Sequence, residues 1–172
     1  MTAMFAQMCA PAKPCRTGCP NTYHVPDTVR AKGVTCATYS SWLERQALNC
    51  KHRDPVGCRQ GIEVYRAAIN AAVVRSAGFD EYTGEPLEWN RLNQAMPEGV
   101  GRRRHRIRGR YPSVDHYQGL GVVQYRICSG TVNAAKGALD HQQFVAMCRR
   151  VVAHHAQWGT EKADAGNRQP RS

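Results

Sequence analysis

An acidic residue and a histidine stand side by side at Asp115-His116, and an asparagine follows at Asn133. A histidine side chain can accept a proton from water near neutral pH. Carboxylate and amide oxygens are ligands that Mg²⁺ accepts, and Mg²⁺ keeps several waters, so one Asp and one Asn suffice from the protein. A cation held in this way polarises a phosphate and stabilises the departing oxygen. These residue types are therefore candidates for metal-assisted hydrolysis of a phosphodiester.

Three pieces of the sequence, in this order, carry a resemblance to a known family. They are Tyr82-Thr83-Gly84-Glu85-Pro86-Leu87, Ser113-Val114-Asp115-His116 and Val132-Asn133-Ala134-Ala135-Lys136-Gly137. Together they resemble the landmarks of HNH endonucleases, also called ββα-metal or His-Me finger nucleases. The resemblance covers residues 79–155 and includes the helix predicted from Phe144 to Val152. Each piece alone is weak, whereas the ordered set with a hairpin between the second and third pieces is fairly specific.

The resemblance implies a role for each matching residue. His116 would be the general base that activates a water, and Asp115 and Asn133 would bind one Mg²⁺ or Mn²⁺ ion. Lys136 would contact a phosphate. The implied activity is that of an endonuclease that hydrolyses phosphodiester bonds in DNA. Nothing in the sequence separates DNA from RNA as the substrate.

Two positions depart from the family pattern. Many members have an asparagine early in the second strand, where this chain has Val123. Valine has no polar group to brace the loop that bears the base, which favours an alternative: an HNH fold with an inactive site that only binds nucleic acid. Many members also carry two cysteine pairs that bind zinc, where this chain has Asp80 and Glu81, so a zinc knuckle of the family type is not expected.

A run of arginines leads directly into the candidate site. It comprises Arg102, Arg103, Arg104, Arg106, Arg108 and Arg110. The last four alternate with a period of two, so in an extended segment they would point to one side. Because a guanidinium can grip phosphate oxygens two at a time, we predict that the run contacts the DNA backbone and adds affinity without sequence specificity. A solvated loop is the alternative.

The overall charge favours the same class of partner. The formal net charge is +11 over 172 residues, which makes polyanions the natural partners, nucleic acid first and an anionic membrane surface second. No run of about 18 apolar residues is present, so no transmembrane helix is expected. The segment from Met1 to Pro14 lacks the basic region of a signal peptide. We therefore expect an intracellular, cytoplasmic protein, in a bacterial or phage context.

Hydrophobic spacing predicts the elements that position these residues. Helices are expected over 38–50, capped by Ser40 or Ser41, and over 61–77, with Gly78 as a stop. Strands are expected over 111–117 and 122–128. A short helix near 132–136, started by Ser129 or Thr131, and a longer one capped by Asp140 follow. The buried stripe of the longer helix is predicted to comprise Phe144, Met147, Cys148, Val151 and Val152.

Together, the elements and the resemblance predict an α+β fold with a ββα-metal core, a β-hairpin plus a helix, buttressed by N-terminal helices. The expected parts are an irregular segment rich in Cys and Pro over 1–37, a helical buttress over 38–78, an HNH-like domain over 79–156 and a disordered tail over 157–172.

The cysteines suggest a rival organisation around structural zinc. One possible ligand set is Cys9, Cys15, Cys19 and His24, and another is Cys36, Cys50, His52 and Cys58. Neither contains the Cys-x2-Cys pair that is typical of zinc sites, so the sequence favours scattered thiols. The rival, a zinc-organised adaptor protein, would have these cysteines at its centre.

Overall fold

The computed structural model describes residues 23–94 and 109–166, and side chains as far as residue 156. Within these ranges lie five α-helices and one antiparallel hairpin, as expected for a chain of mixed helix and strand. The helices are α1 (Asp27–Arg30), α2 (Cys36–Arg53), α3 (Ile62–Ser76), α4 (Gly130–Lys136) and α5 (His141–Gly166), and the strands are β1 (Pro112–His116) and β2 (Tyr125–Ser129). Short 3-10 turns cover Val56–Cys58 and Trp89–Asn93. The chain forms two compact units, Met1–Ala135 and Lys136–Ser172.

Helices α2 and α3 confirm the predicted helical pair. The N-terminus of α2 is capped by Thr35, whose hydroxyl accepts a hydrogen bond from the Thr38 amide at 3.2 Å. The prediction of Ser40 or Ser41 as the cap was wrong, because both residues lie inside the first turns of the helix. A threonine before a helix satisfies one of the amides that have no partner within the helix.

The core of the first unit lies where α2, α3 and the hairpin meet. Each helix contributes an apolar stripe to this core, and the hairpin contributes one face. The large buried side chains of the core include Trp42, Leu43, Tyr65, Ile69, Val73, Trp89, Val114, Tyr125 and Ile127. Fully burying a side chain of this size stabilises the fold by about 1.5–3 kcal/mol. This core therefore fixes the hairpin against the helices.

Helix α3 ends at Ser76, one residue before the predicted helix end at residue 77. Ala77 adopts a left-handed conformation with φ of 50°, and Gly78 follows with φ of 90°. The Gly78 carbonyl then accepts hydrogen bonds from the Leu87 amide and from the Trp89 indole. The chain is thus folded back on itself between residues 78 and 89.

The hairpin pairs β1 with β2 from Pro112↔Ser129 to His116↔Tyr125. Strand β2 begins at Tyr125 and not at residue 122 as predicted. The residues before it belong to the turn, where Gly119 and Gly121 have φ of 94° and 85°. These conformations are strained for other residues, so the turn extends over 117–124 and shortens the second strand.

Helix α5, in the second unit, is capped by Asp140 as predicted. The Asp140 carboxylate accepts from the Gln143 amide at 2.8 Å, and the Gln143 side chain accepts from the Asp140 amide at 3.1 Å. This is a reciprocal capping box. The helix continues to Gly166, into the segment for which disorder was predicted.

The predicted buried stripe of α5 is only partly confirmed. Phe144 is buried, but Cys148 is exposed, and Val151 and Val152 are 52% and 68% exposed. Helical spacing identifies the apolar face of a helix and does not show whether anything covers it.

No helix in the described part of the chain is both long and apolar enough to cross a bilayer.

Candidate functional site

Asp115 lies near the end of β1 with its carboxylate held by a tyrosine. The side chain is 3% exposed, and the Tyr82 hydroxyl donates a hydrogen bond to Oδ2 at 2.6 Å. Burial raises the pKa of Tyr82, and the bond to Asp115 raises it further. Tyr82 therefore stays a neutral donor and fixes the orientation of the carboxylate.

Asn133 lies on α4 and reaches back to β1. Helix α4 is capped by Ser129, whose hydroxyl accepts from the Val132 amide at 3.1 Å, so the helix starts directly at the end of β2. The Asn133 Nδ2 group donates to the Ser113 hydroxyl at 2.7 Å and to the Val114 carbonyl at 3.1 Å. Both amide hydrogens are thus directed to β1, and Oδ1 is the atom that can serve a ligand.

His116, the last residue of β1, is buried at 4% exposure. Its Nε2 lies 3.5 Å from Oδ1 of Asp54, at the limit of hydrogen-bonding distance. Its ring also meets the ring of Tyr125, its partner across the hairpin, edge-on at 5.2 Å. The imidazole therefore sits between a carboxylate and an aromatic ring.

Asp54, which directly follows α2, is the centre of a buried polar cluster. It is 1% exposed. Its Oδ1 accepts from the Gly121 amide at 2.9 Å, and its Oδ2 accepts from the Tyr65 hydroxyl at 2.8 Å. Burial raises the pKa of Tyr65, and the hydrogen bond to Asp54 adds to that effect. One carboxylate thus joins both helices of the pair to the hairpin turn and to His116.

The sequence did not indicate Asp54 as a candidate site residue, although it stands in Asp54-Pro55-Val56-Gly57 directly after α2. An aspartate before a proline is ordinary turn chemistry, and no local pattern distinguishes it from a site residue. Its importance comes from contacts with residues far along the chain.

The three candidate site residues do not share one face of the hairpin. Side chains alternate across a strand, so Ser113 and Asp115 lie on one face and Val114 and His116 on the other. The contacts agree, because Asn133 bonds to Ser113 while Val114 belongs to the core. The structure therefore places Asp115 and Asn133 on one side and His116 on the other. Strand β1 ends at His116.

Two acidic residues, Asp80 and Glu81, hold the segment that bears Tyr82 against β2. Asp80 is 1% exposed, and its carboxylate accepts from the Tyr82 amide at 2.8 Å and from the Ser129 amide at 2.7 Å. Glu81 accepts from the Ile127 amide at 2.7 Å. These bonds hold Tyr82 in the position from which it contacts Asp115.

Arg126, the cross-strand neighbour of Asp115, was also not identified from the sequence as a site residue. Its guanidinium lies over the rings of Tyr117, at 4.3 Å, and Tyr82, at 5.6 Å. It also donates to the Glu81 carbonyl at 3.3 Å. The sequence gives no local signal for this contact, because residue 126 lies opposite residue 115 only through the register of the hairpin.

The predicted phosphate contacts are only partly within the described residues. Arg102, Arg103, Arg104, Arg106 and Arg108 lie outside them. The Arg110 side chain is 45% exposed and lies 3.9 Å from Glu88. Lys136, the last residue of α4, is 2% exposed, which does not favour its predicted contact with a phosphate.

The second zinc ligand set does not assemble. Among the described residues, no group of three or more His, Cys, Asp or Glu side chains is placed to hold a metal ion. Cys50 is buried in the core while Cys58 is exposed. Of the first set, only His24 lies within the described residues.

Val123 lies in the turn before β2 and is partly buried against the core. Its side chain has no polar group that could brace the residues around His116.

Comparisons of this chain with protein-family models, with curated proteins and with solved structures return no match.

Proposed function

We propose that this protein is a metal-dependent endonuclease of the HNH type that hydrolyses phosphodiester bonds in DNA. The observation that carries the proposal is the way α4 returns to β1. Asn133 donates two hydrogen bonds to the strand that ends in Asp115-His116. A hairpin followed directly by such a helix sets Asn133 beside the strand whose last two residues are Asp115 and His116.

The oxygen ligands available fit Mg²⁺ or Mn²⁺. Asp115 supplies a carboxylate whose orientation is fixed by Tyr82, and Asn133 supplies Oδ1, because its Nδ2 is bound to β1. Mg²⁺ accepts few protein oxygens and keeps several waters, so two ligands suffice. When bound, the ion supplies charge neutralisation at the phosphate and stabilises the departing oxygen.

His116 is proposed as the base that takes the proton from the attacking water. Asp54 then acts as a positioning residue, because its carboxylate lies 3.5 Å from Nε2 and is itself fixed by Gly121 and Tyr65. A carboxylate in this place orients the ring and stabilises the positive charge that the ring acquires with the proton. In this proposal the proton is accepted by Nδ1, the opposite ring nitrogen.

The substrate assignment rests on charge. A formal net charge of +11 favours a polyanion, and the arginines of residues 102–110 lie shortly before Asp115 in the chain. Contacts of this kind are made to the phosphate backbone, so affinity should fall with rising salt and depend little on base sequence.

A second candidate function is DNA binding without cleavage. Two observations favour it: His116 is only 4% exposed, and Val123 cannot brace the turn through a polar group. In this case the hairpin and α4 are retained as a scaffold, and the basic surface binds DNA. The two candidates differ in one measurable property, cleavage that depends on a divalent metal ion.

The decisive experiment incubates the purified protein with supercoiled plasmid and Mg²⁺ or Mn²⁺. We expect nicking that EDTA abolishes and that His116→Ala reduces by at least about 100-fold, the usual contribution of a general base. His52→Ala, which removes an exposed histidine from α2, is the matched control and should cleave normally.

Binding of the plasmid without cleavage by any metal would favour the second candidate. Cleavage that persists in His116→Ala would reject His116 as the base.

A further inference from the structure

A surface cleft of about 390 Å³ lies between α3 and the hairpin, within the first unit. Its apolar wall is formed by the small side chains of Ala68 and Ala71 and by Val123. Clefts that bind small molecules usually measure about 300–1,000 Å³, so this one can accept a group the size of a single nucleotide.

The polar lining of the cleft is cationic. Arg75 and Arg126 both contribute to it, and none of the eight lining residues is acidic. Arg75 is paired with Glu81 at 2.7 Å. Arg126 is partly buried and forms no salt bridge with the part of the chain that the structure describes. Because a partly buried charge without a counter-ion is costly, this guanidinium favours an anionic ligand.

The cleft also offers flat surfaces. Tyr117 lines it, and the Arg126 guanidinium lies 4.3 Å from the centre of the Tyr117 ring. Phenol rings and guanidinium planes are the surfaces on which unpaired bases stack. Gln124, also in the lining, adds an amide that can donate and accept hydrogen bonds at a base edge.

The position of the cleft relates it to the candidate base. Tyr117 directly follows His116, and the Tyr125 ring contacts the His116 ring. We propose that the cleft binds one unpaired nucleotide of the DNA strand, next to the phosphate to be cut. This inference rests on the proposed function and specifies its substrate: single-stranded DNA, or DNA with an unpaired nucleotide at the cleavage point.

The physical reason for an unpaired nucleotide is steric and energetic. A base within a duplex is stacked on both faces and paired along one edge. It can therefore enter a side pocket only after it is flipped out of the duplex. That step costs a few kcal/mol in a duplex and least in a single strand. A cleft of this kind therefore selects single-stranded over double-stranded DNA of the same sequence.

The test measures binding in EDTA, so that cleavage plays no part. A fluorescent oligonucleotide is titrated with the full chain, once as a single strand and once as a duplex, and its anisotropy is followed. Ala71→Trp fills the cleft from α3, and Ala67→Trp places the same residue on the same helix at an exposed position outside the cleft. Arg126→Lys keeps the charge and removes the flat plane.

We expect the wild type and Ala67→Trp to bind the single strand more tightly than the duplex. Ala71→Trp should weaken binding of the single strand about tenfold or more, which is the scale of one stacked base, and leave the duplex unchanged. Arg126→Lys should weaken the single strand in the same direction. Equal binding of the single strand by Ala71→Trp and Ala67→Trp would overturn the inference, as would a wild-type preference for the duplex.

The inference and the proposed function fail separately. A single-strand preference that Ala71→Trp removes, in a protein that cleaves no DNA, would support the cleft and reject the nuclease. Metal-dependent cleavage with no effect of Ala71→Trp on single-strand binding would reject the cleft alone.

Discussion

Helices α2 and α3 pack together through apolar side chains, whereas the hairpin and the segment before it are joined by buried polar groups. Trp42 and Ile69 are examples of the first kind of contact, and both are almost fully buried. Most of the buried polar residues belong to the second region or face it: Asp54, Asp80, Asp115, His116 and Ser129.

This difference separates a region that tolerates change from one that depends on geometry. Apolar burial is roughly proportional to area and has no preferred direction. A buried carboxylate needs donors at defined positions, and it is costly when one is lost. The polar region is thus specified by a few contacts, and these same contacts hold Asp115 and His116.

The largest effect is expected from Asp80→Ala. The substitution removes a carboxylate that accepts from the amides of Tyr82, Thr83 and Ser129. The hydrogen bond from the Ser129 amide is buried, so removal of the Asp80 carboxylate leaves this amide without an acceptor. We therefore expect the free energy of unfolding to fall by about 3 kcal/mol. Denaturant unfolding monitored by circular dichroism measures this change.

Two controls accompany that measurement. Ile69→Val removes one methylene from the apolar region and should cost only about 1 kcal/mol. Glu85→Ala alters an exposed side chain in the same loop as Asp80 and should be nearly neutral. If Asp80→Ala proves no more destabilising than Ile69→Val, the contrast between the two regions is wrong.

The next largest effect is expected from Asp54→Asn. It removes the charge beside His116 but keeps an oxygen to accept from the Gly121 amide. We expect kcat for DNA cleavage to fall about 100-fold, equivalent to about 2.7 kcal/mol, with KM unchanged. In ¹⁵N NMR spectra, the imidazole nitrogens of His116 should shift as the tautomer loses its fixed orientation.

Tyr65→Phe is the matched control for Asp54→Asn. It removes one hydrogen bond to the carboxylate and leaves the charge in place. This variant should lose about 1 kcal/mol of stability and keep most of its kcat. A purely structural role for Asp54 would instead lower the stability of Asp54→Asn and leave the His116 spectrum unchanged.

The smallest effect concerns alkaline pH and the apolar region. Burial raises the pKa of Cys50 from an ordinary value of 9.0 to about 12. The folded protein thus keeps its thiol protonated where the unfolded chain loses the proton. The contribution of the Cys50 thiol to the free energy of unfolding is fully present below about pH 9, and it is lost as the pH rises from there towards 12.

Unfolding measured at a series of pH values above 8 tests this. Cys50→Ala should flatten the alkaline decline, whereas Cys148→Ala, at an exposed position on α5, should not. The flattening is partial, because burial also raises the pKa of Tyr39 and Tyr125. Identical profiles for the wild type and Cys50→Ala would contradict the prediction.

Hydrophobic periodicity predicted the helices of the apolar region, but it did not predict the contacts of the polar region. The helical pair, the cap at Asp140 and the cap at Ser129, one of the two predicted candidates, follow from local spacing and local side-chain chemistry. The start of β2 was missed because the φ angles of Gly119 and Gly121 extend the turn at the expense of the strand.

The candidate site was predicted in part. The sequence pattern identified Asp115, His116 and Asn133, but it gave no indication that Asp54 and Arg126 lie against them. Asp54 approaches His116 only because α2 and α3 pack on the hairpin, and Arg126 approaches Tyr117 only through the register of the strands. Contacts of this kind depend on the tertiary fold and leave no trace in local sequence.

The hydrogen bond from the Gly121 amide to Asp54 has a consequence for the order of folding. It joins residues 67 positions apart, so it forms only after a long loop has closed, and long-range contacts are slow to form. We expect the helices and the hairpin to form first and this bond to close afterwards. A partly folded chain would therefore hold His116 without its carboxylate, and the contact between Asp54 and His116 would appear only in the fully folded molecule.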